Sequence, residues 1–240
     1  MGSRGTIARR LEAVTDFDDP SPALEQYLTP PEIAAHIVHL AGLQNDLTDG
    51  TVVDLGTGTG MLAIGAAMSD ADRVIGIDVD RSALEVAREN ESRVFGLEGG
   101  SGRSSSSSSS VSSPPSSSSS SSSADSPIDW LHADVNRHPL SCPDATVLSN
   151  PPFGAQRGNR HADRAFLETA REIGRVSYTI HNEGSQEFVE SFATDNGGTV
   201  THAFRASFSL EHRFGFHEDE RRELDAEVFR IEWRDSNRVG

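Results

Sequence analysis

The chain has 240 residues, enough for one domain of ordinary size and too few for two comfortable ones. Its single cysteine, Cys142, excludes an internal disulfide and a multi-cysteine zinc site. No apolar run approaches the roughly 18 residues that a membrane helix needs, and no apolar segment follows the first residues, so we expect a cytoplasmic protein with no membrane partner.

The charge of the chain is unusual in amount and in kind. There are 37 Asp and Glu residues against 21 basic residues, which gives a net charge of −16, and every basic residue is an arginine. Carboxylates stay hydrated in concentrated salt, and the salt screens their mutual repulsion. The acidic, lysine-free composition therefore indicates a halophilic, archaeon-like source. A high-GC genome would explain the arginines but not the excess of acids.

Helix and strand patterns alternate along most of the chain. Thr29 and the two prolines after it predict a capped helix start, and the apolar stripe that follows ends near Gly42. Further helices are predicted at 61–68, 81–95, 163–173 and 185–193, and strands at 51–55, 73–78, 128–131, 145–149, 176–180, 199–210 and 224–233. The last two strands read as a hairpin. This order predicts an α/β fold in one domain, residues 1–240, whose mostly parallel sheet has one antiparallel edge.

A serine-rich tract interrupts this alternation before the strand predicted at 128–131. Residues 101–123 contain 18 serines and one apolar side chain, Val111. Such a segment buries too little apolar area to fold, so residues 99–127 are predicted to be a disordered insertion. Because loop-closure entropy grows slowly with loop length, the domain should tolerate it.

A glycine-rich turn follows the first predicted strand, in the sequence Val53-Asp54-Leu55-Gly56-Thr57-Gly58-Thr59-Gly60. Glycines allow a tight bend and let a ligand approach the main chain. Asp78 ends the next strand, 24 residues after Asp54, where a carboxylate can accept both hydroxyls of a ribose. The pattern predicts a site for a nucleoside-type cofactor. The alternative is a tight turn followed by a solvated aspartate.

A second motif, Asn150-Pro151-Pro152-Phe153, follows the strand predicted at 145–149. Ligands of an open α/β sheet bind outside the carboxyl ends of its strands. The Asn150 side-chain oxygen and the Pro151 carbonyl can each accept one N–H of an amino group, and Phe153 offers a face for a planar group. The motif predicts a site for a planar amino group. The alternative is a proline-rich strand exit beside a core phenylalanine.

Both motifs resemble those of known enzymes. The glycine turn is similar to motif I of the class I S-adenosylmethionine (SAM) methyltransferases, and the second motif to motif IV of amino-group methyltransferases. More of the chain resembles the methyltransferase-like protein 5 family, over roughly residues 5–98 and 128–235; the matching segments are 24–35, 150–154, 165–170, 178–181 and the region of Phe216 and His217. The resemblance implies a Rossmann-like, mostly parallel seven-stranded sheet with an antiparallel C-terminal hairpin. It also implies SAM as cofactor and methyl transfer to adenine N6 in small-subunit ribosomal RNA.

The resemblance also implies roles for single residues and a partner. Gln26, Tyr27 and Thr29 would close over the methionine end of SAM; Asp54, Gly56 and Gly58 would line its path; Asp78 would hold the ribose and Asp134 the adenine amino group; Asn150, which also borders the cofactor, and Pro151, Pro152 and Phe153 would hold the target base. The family further implies a small zinc-binding activator subunit. The chain itself shows no metal-binding motif.

An arginine-rich segment follows the second motif. Between Gln156 and Arg175 there are five arginines and three acids, a local net charge of +2. Arg157 and Arg160 are predicted to contact RNA phosphates or to stack on bases. The alternative is a flexible, solvated loop.

The second motif alone does not select the substrate. Glutamine-N5 methyltransferases of translation release factors share it, although they usually have tyrosine at the position of Phe153 and often an extra N-terminal helical domain. Guanine-N2 rRNA methyltransferases also share it. A protein that keeps the fold only to bind RNA or a partner is a further alternative, against which the intact glycines and Asn150 argue.

Overall fold

The structure, a computed structural model, describes residues 2–48, 50–69, 71–97, 126–142, 144–152, 162–210 and 222–233, with side chains of 207–210 and 222–224 left aside. The helices are α1 (Arg4–Leu11), α2 (Pro31–Leu43), α3 (Met61–Ala67), α4 (Arg81–Phe95), α5 (Ala162–Ile173) and α6 (Gln186–Asp195). The strands are β1 (Thr51–Leu55), β2 (Arg73–Asp78), β3 (Ile128–His132), β4 (Ala145–Ser149), β5 (Gly174–Asn182), β6 (Gly198–Leu210) and β7 (Arg222–Trp233).

All seven strands form one sheet in the order β3-β2-β1-β4-β5-β7-β6. The first five strands of this order are parallel, and β7 runs antiparallel to both β5 and β6. The predicted α/β sheet with its C-terminal hairpin is therefore confirmed. The strand order reverses between β1 and β4, and ligands of open α/β sheets bind at such a point.

The central strands are apolar because helices cover both faces of the sheet. In β4 every residue is buried, as is expected for a parallel strand between two helical layers. Alternate residues of β1 face opposite layers: Val52 packs with α1, α2 and α3, whereas Val53 packs with α5. A separate group of buried apolar residues, which includes Phe192 and Trp233, joins α6 to the C-terminal hairpin.

Some local expectations differ from the structure. Helix α1 was not expected, because only Ile7 and Leu11 mark its buried face; Ser3 caps it by accepting a hydrogen bond from the Thr6 N–H. Thr29 does not cap α2. Pro30 is the capping residue without a side-chain bond, and the Thr29 hydroxyl contacts Asn150 instead.

The structure also bears on the predicted insertion and on the expected lack of a membrane helix. The predicted insertion at 99–127 lies outside the described residues except for Ser126 and Pro127. Among the described helices, none has the length and apolar character needed to span a membrane.

Candidate active site

A cavity of about 350 Å³ opens at the carboxyl ends of β1, β2, β3 and β4. The residues after these strands form its base, and residues of the segment 17–29 and of α5 close its sides. Its lining includes Phe17, Leu24, Glu25, Gln26, Tyr27, Thr29, Gly56, Thr57, Gly58, Thr59, Asp78, Val79, Asp134, Val135, Asn136, Asn150, Pro152, Ala162 and Phe166. Residues that the sequence predicts from five distant parts of the chain therefore meet in one place.

The glycine turn forms one wall of the cavity with its main chain. Gly56 and Gly58 adopt positive φ angles of 66° and 54°, which favour glycine. A Cβ atom at Gly56 would lie 2.9 Å from the Phe166 ring, and one at Gly58 would lie 2.9 Å from the Phe17 ring. The turn is thus packed between two phenyl rings that also line the cavity, and a side chain at either glycine would displace a ring.

Asp54 does not line this cavity, although the resemblance implies that it borders the cofactor. Its carboxyl is buried, and its Oδ2 accepts hydrogen bonds from the Thr57 hydroxyl at 2.6 Å and the Ala63 N–H at 3.0 Å. Burial raises the pKa of Asp54 to about 7, although the two hydrogen bonds act in the opposite direction. The geometry shows Asp54 fastening the glycine turn to the first turn of α3.

Two carboxylates face the cavity where the sequence predicts them. Asp78 accepts one backbone N–H at each oxygen, from Gly58 at 2.8 Å and from Asp80 at 2.9 Å. Burial raises the pKa of Asp78. A carboxylate has about four acceptor positions, so Asp78 retains capacity for two ligand hydroxyls. Asp134 begins a 3₁₀ turn and accepts from Asn136 through Oδ1.

Asn150 lies at the side of the cavity formed by the end of β4. Its Oδ1 accepts a hydrogen bond from the Tyr27 hydroxyl at 2.9 Å, and its Nδ2 donates to the Thr29 hydroxyl at 2.9 Å. Pro151 is buried and Pro152 lines the cavity. The nearby Gln26 amide donates to Asp80 Oδ2 at 2.8 Å. Tyr27, Thr29 and Asn150, which the resemblance implies for SAM binding, are therefore hydrogen-bonded to one another.

Phe153, Arg157 and Arg160 lie outside the described residues. Sequence reasoning missed Phe17, whose only signal is one aromatic residue among acids. It also gave no role to Phe166, which lies in the matching segment 165–170. Within the ranges described, the His, Cys, Asp and Glu side chains form no group of three that suits a metal ion.

Comparisons with known proteins place the chain among methyltransferases. The family model described as "Ribosomal protein L11 methyltransferase (PrmA)" matches residues 37–94, from α2 to α4. An uncharacterized protein of Methanocaldococcus jannaschii is 34% identical over 92% of this chain and 90% of its own length. The rRNA N(6)-adenosine-methyltransferase Mettl5 of Drosophila melanogaster is 28% identical, with 92% of each chain covered. The chain belongs to the methyltransferase-like protein 5 family.

A solved structure is similar to this chain over nearly its whole length. The candidate RNA methyltransferase PH1948 of Pyrococcus horikoshii is 30% identical, with a TM-score of 0.76 over 97% of this chain and 98% of that chain. This methyltransferase-like protein 5 member is thus a SAM-dependent methyltransferase with SAM as its cofactor. The match to the L11 enzymes ends before β4 and does not include the residues that would face the methyl acceptor.

The cavity fits the cofactor by the chemistry of its walls. The spare acceptor positions of Asp78 suit the two ribose hydroxyls, and the carboxylate of Asp134 suits an exocyclic amino group. Gly56 and Gly58 line the cavity without side chains, so a ligand can approach their main chain closely. When bound, SAM supplies a methyl group on a positively charged sulfur. These residues would hold it beside the strand end that carries Asn150.

Proposed function

We propose that this protein transfers the methyl group of SAM to the N6 atom of an adenine in small-subunit ribosomal RNA. The observation that carries the proposal is the position of Asn150 and Pro152 on the same cavity as Asp78 and Asp134. The nucleoside-holding acids and the amino-group motif thereby share one space. The enzyme of Drosophila melanogaster that covers 92% of this chain is named as an rRNA N6-adenosine methyltransferase, which supports adenine as the acceptor.

The proposed chemistry needs orientation more than acid–base catalysis. Asn150 Oδ1 and the Pro151 carbonyl each accept one N–H of the adenine amino group, which directs the nitrogen lone pair toward the methyl group. The amino group loses a proton after transfer, when it has become acidic, so a strong general base is unnecessary. Phe153 stacks on the base, and the two prolines keep the carbonyl rigid. Positioning of this kind supplies much of an enzyme's rate acceleration.

The proposal includes partners. Arg157 and Arg160, in the arginine-rich segment that follows the motif at Asn150, bind RNA phosphates. A small zinc-binding subunit assists the enzyme, as the family resemblance implies. Because ribosomal RNA is the substrate, the protein acts in the cytoplasm. Arginine suits the phosphate contact because its planar, permanently charged group forms paired hydrogen bonds with phosphate oxygens.

The proposal is tested with isotopically labelled SAM, total RNA and a protein extract from a host that lacks the modification, in molar KCl. The products are digested and identified by mass spectrometry. We expect N6-methyladenosine from small-subunit rRNA, and no label with the Asn150→Ala variant. Methylglutamine in protein would assign the enzyme to release factors, and N2-methylguanosine would assign it to guanine. Co-purification with a small zinc protein that raises the rate would support the activator.

The arginine contact gives a separate prediction. The double variant Arg157→Ala and Arg160→Ala should raise the KM for RNA about tenfold or more, because each lost phosphate contact weakens binding. The dissociation constant for SAM should stay the same. Arg73→Ala is the matched control, since Arg73 is exposed at the amino end of β2, away from the cavity, and pairs with Asp129. An unchanged KM for RNA in the double variant would refute the contact.

A further inference from the structure

A segment before α2 spans the cavity between two anchors. We call this segment, residues 21–30, the strap. At one anchor, Gln26 accepts a hydrogen bond from the Ser21 N–H at 2.7 Å and donates to Asp80 Oδ2 at 2.8 Å. Asp80 lies two residues after Asp78, the acid assigned to the ribose. At the other anchor, two strap hydroxyls reach Asn150, at the acceptor end of the same cavity.

The amide of Asn150 is held at both ends. Tyr27 donates to its oxygen and Thr29 accepts from its nitrogen, each at 2.9 Å. Two hydrogen bonds at opposite ends of a planar group fix the plane in which the amide lies. An amide oxygen has two lone pairs, so Oδ1 can accept from Tyr27 and from an incoming amino group together. Without the hydrogen bond from Tyr27, the amide plane of Asn150 would be held only by Thr29, and the free lone pair of Oδ1 would no longer have a fixed direction.

We propose that Tyr27 is a positioning residue that orients Asn150 toward the methyl acceptor. The inference rests on the proposed role of Asn150 in holding the target amino group. It assigns the Tyr27 hydroxyl to the acceptor side of the cavity, whereas the family resemblance implies contact with the methionine end of SAM. Because the strap also joins Asp80, covering of the cofactor and orientation of Asn150 depend on the same segment. Burial raises the pKa of Tyr27 well above its ordinary value of 10.0, so the hydroxyl keeps its proton at neutral pH.

The test compares the only two tyrosines of the chain, Tyr27 and Tyr178. Tyr27→Phe removes the hydroxyl and keeps the ring in the strap. We expect kcat to fall about ten- to a hundredfold, as for a misplaced reacting group, with KM and Kd for SAM changed by less than about twofold. The side-chain NH2 resonances of Asn150 in a ¹⁵N spectrum, assigned by their loss in Asn150→Ala, should shift. Tyr178→Phe is the matched control, because its buried hydroxyl donates to Asp46 and does not line the cavity. It should lower stability and leave kcat unchanged.

Two outcomes would overturn the assignment. A raised Kd for SAM with an unchanged kcat would place the Tyr27 hydroxyl on the cofactor. An unchanged kcat together with unshifted Asn150 resonances would show that the hydroxyl does not orient the amide. The substrate is judged separately, from the product that the unaltered enzyme forms. If that product is methylglutamine, adenine is refuted, and the Tyr27→Phe ratio of kcat values is measured on the labelled protein instead.

Discussion

At the scale of single residues, Asp54 shows how a buried acid links pH to stability. Asp54 is 1% exposed, and its Oδ1 has no hydrogen-bond partner among the described residues. Burial raises its pKa from 3.8 to about 7. The folded protein therefore binds this proton more tightly than the unfolded chain does. The contribution of Asp54 to stability is fully present below pH 4 and is lost as the pH rises through 7.

The Asp54→Asn variant should remove this pH dependence. Between about pH 4.5 and 8, the free energy of unfolding of the unaltered protein should fall by up to about 4 kcal/mol relative to the variant, since one pKa unit corresponds to about 1.4 kcal/mol. Urea denaturation at several pH values measures the difference. Asp129→Asn is the control for loss of one carboxyl, because Asp129 is exposed on β3. If the free energy of unfolding changed with pH in the same way in the unaltered protein and in Asp54→Asn, the expectation would be contradicted.

At the scale of elements, the turn between β1 and α3 joins stability to cofactor binding. Gly56 lines the cavity with φ 66° and touches the Phe166 ring, whereas Gly96 at the end of α4 has φ 68° and open space around its Cβ position. The two glycines therefore have nearly the same φ angle and differ in surroundings. An alanine at Gly96 measures the conformational cost alone.

Gly56→Ala should weaken SAM binding about tenfold or more, because the new methyl group pushes the Phe166 ring, which also lines the cavity. Both Gly56→Ala and Gly96→Ala should lose about 1 kcal/mol of stability from the left-handed backbone. Calorimetric titration with SAM and urea denaturation separate the two effects. Equal SAM affinities for the two variants would show that the Phe166 contact does not shape the cofactor site.

The sequence predicts the elements of the sheet better than the contacts between distant segments. Asp78 and Asn150 could be assigned because they lie at the ends of buried strands, and parallel strands end at one edge of a sheet. The role of Asp134 is implied only by the family resemblance. The contact between Tyr27 and Asn150 joins residues 123 positions apart and leaves no local pattern. Helix α1 could not be predicted, because an eight-residue helix with two buried side chains shows little periodicity in its apolar residues.

At the scale of the whole molecule, a buried ionic network joins the loop after α2 to the C-terminal hairpin. Asp46 Oδ2 accepts from Arg230 Nε at 2.8 Å and from the Tyr178 hydroxyl at 2.6 Å. Its backbone carbonyl accepts from Thr146 at the start of β4. Arg230 also donates to Glu232 at 2.6 Å. Residues up to 184 positions apart in the chain are thus connected.

Asp46→Asn should destabilise the protein by about 3 kcal/mol, since it leaves the buried Arg230 without its main counter-charge. Salt screens exposed charges far more than buried ones, so this loss should be nearly equal in about 0.2 M and about 2 M KCl. Asp129→Asn, which breaks the pair between Asp129 and Arg73 with side chains more than 60% exposed, should cost about 0.5 kcal/mol at low salt and almost nothing at high salt. Urea denaturation at both salt concentrations provides the measurement. If the loss in Asp46→Asn also vanished in concentrated KCl, the pair would be accessible to ions, and its contribution would not come from a buried charge.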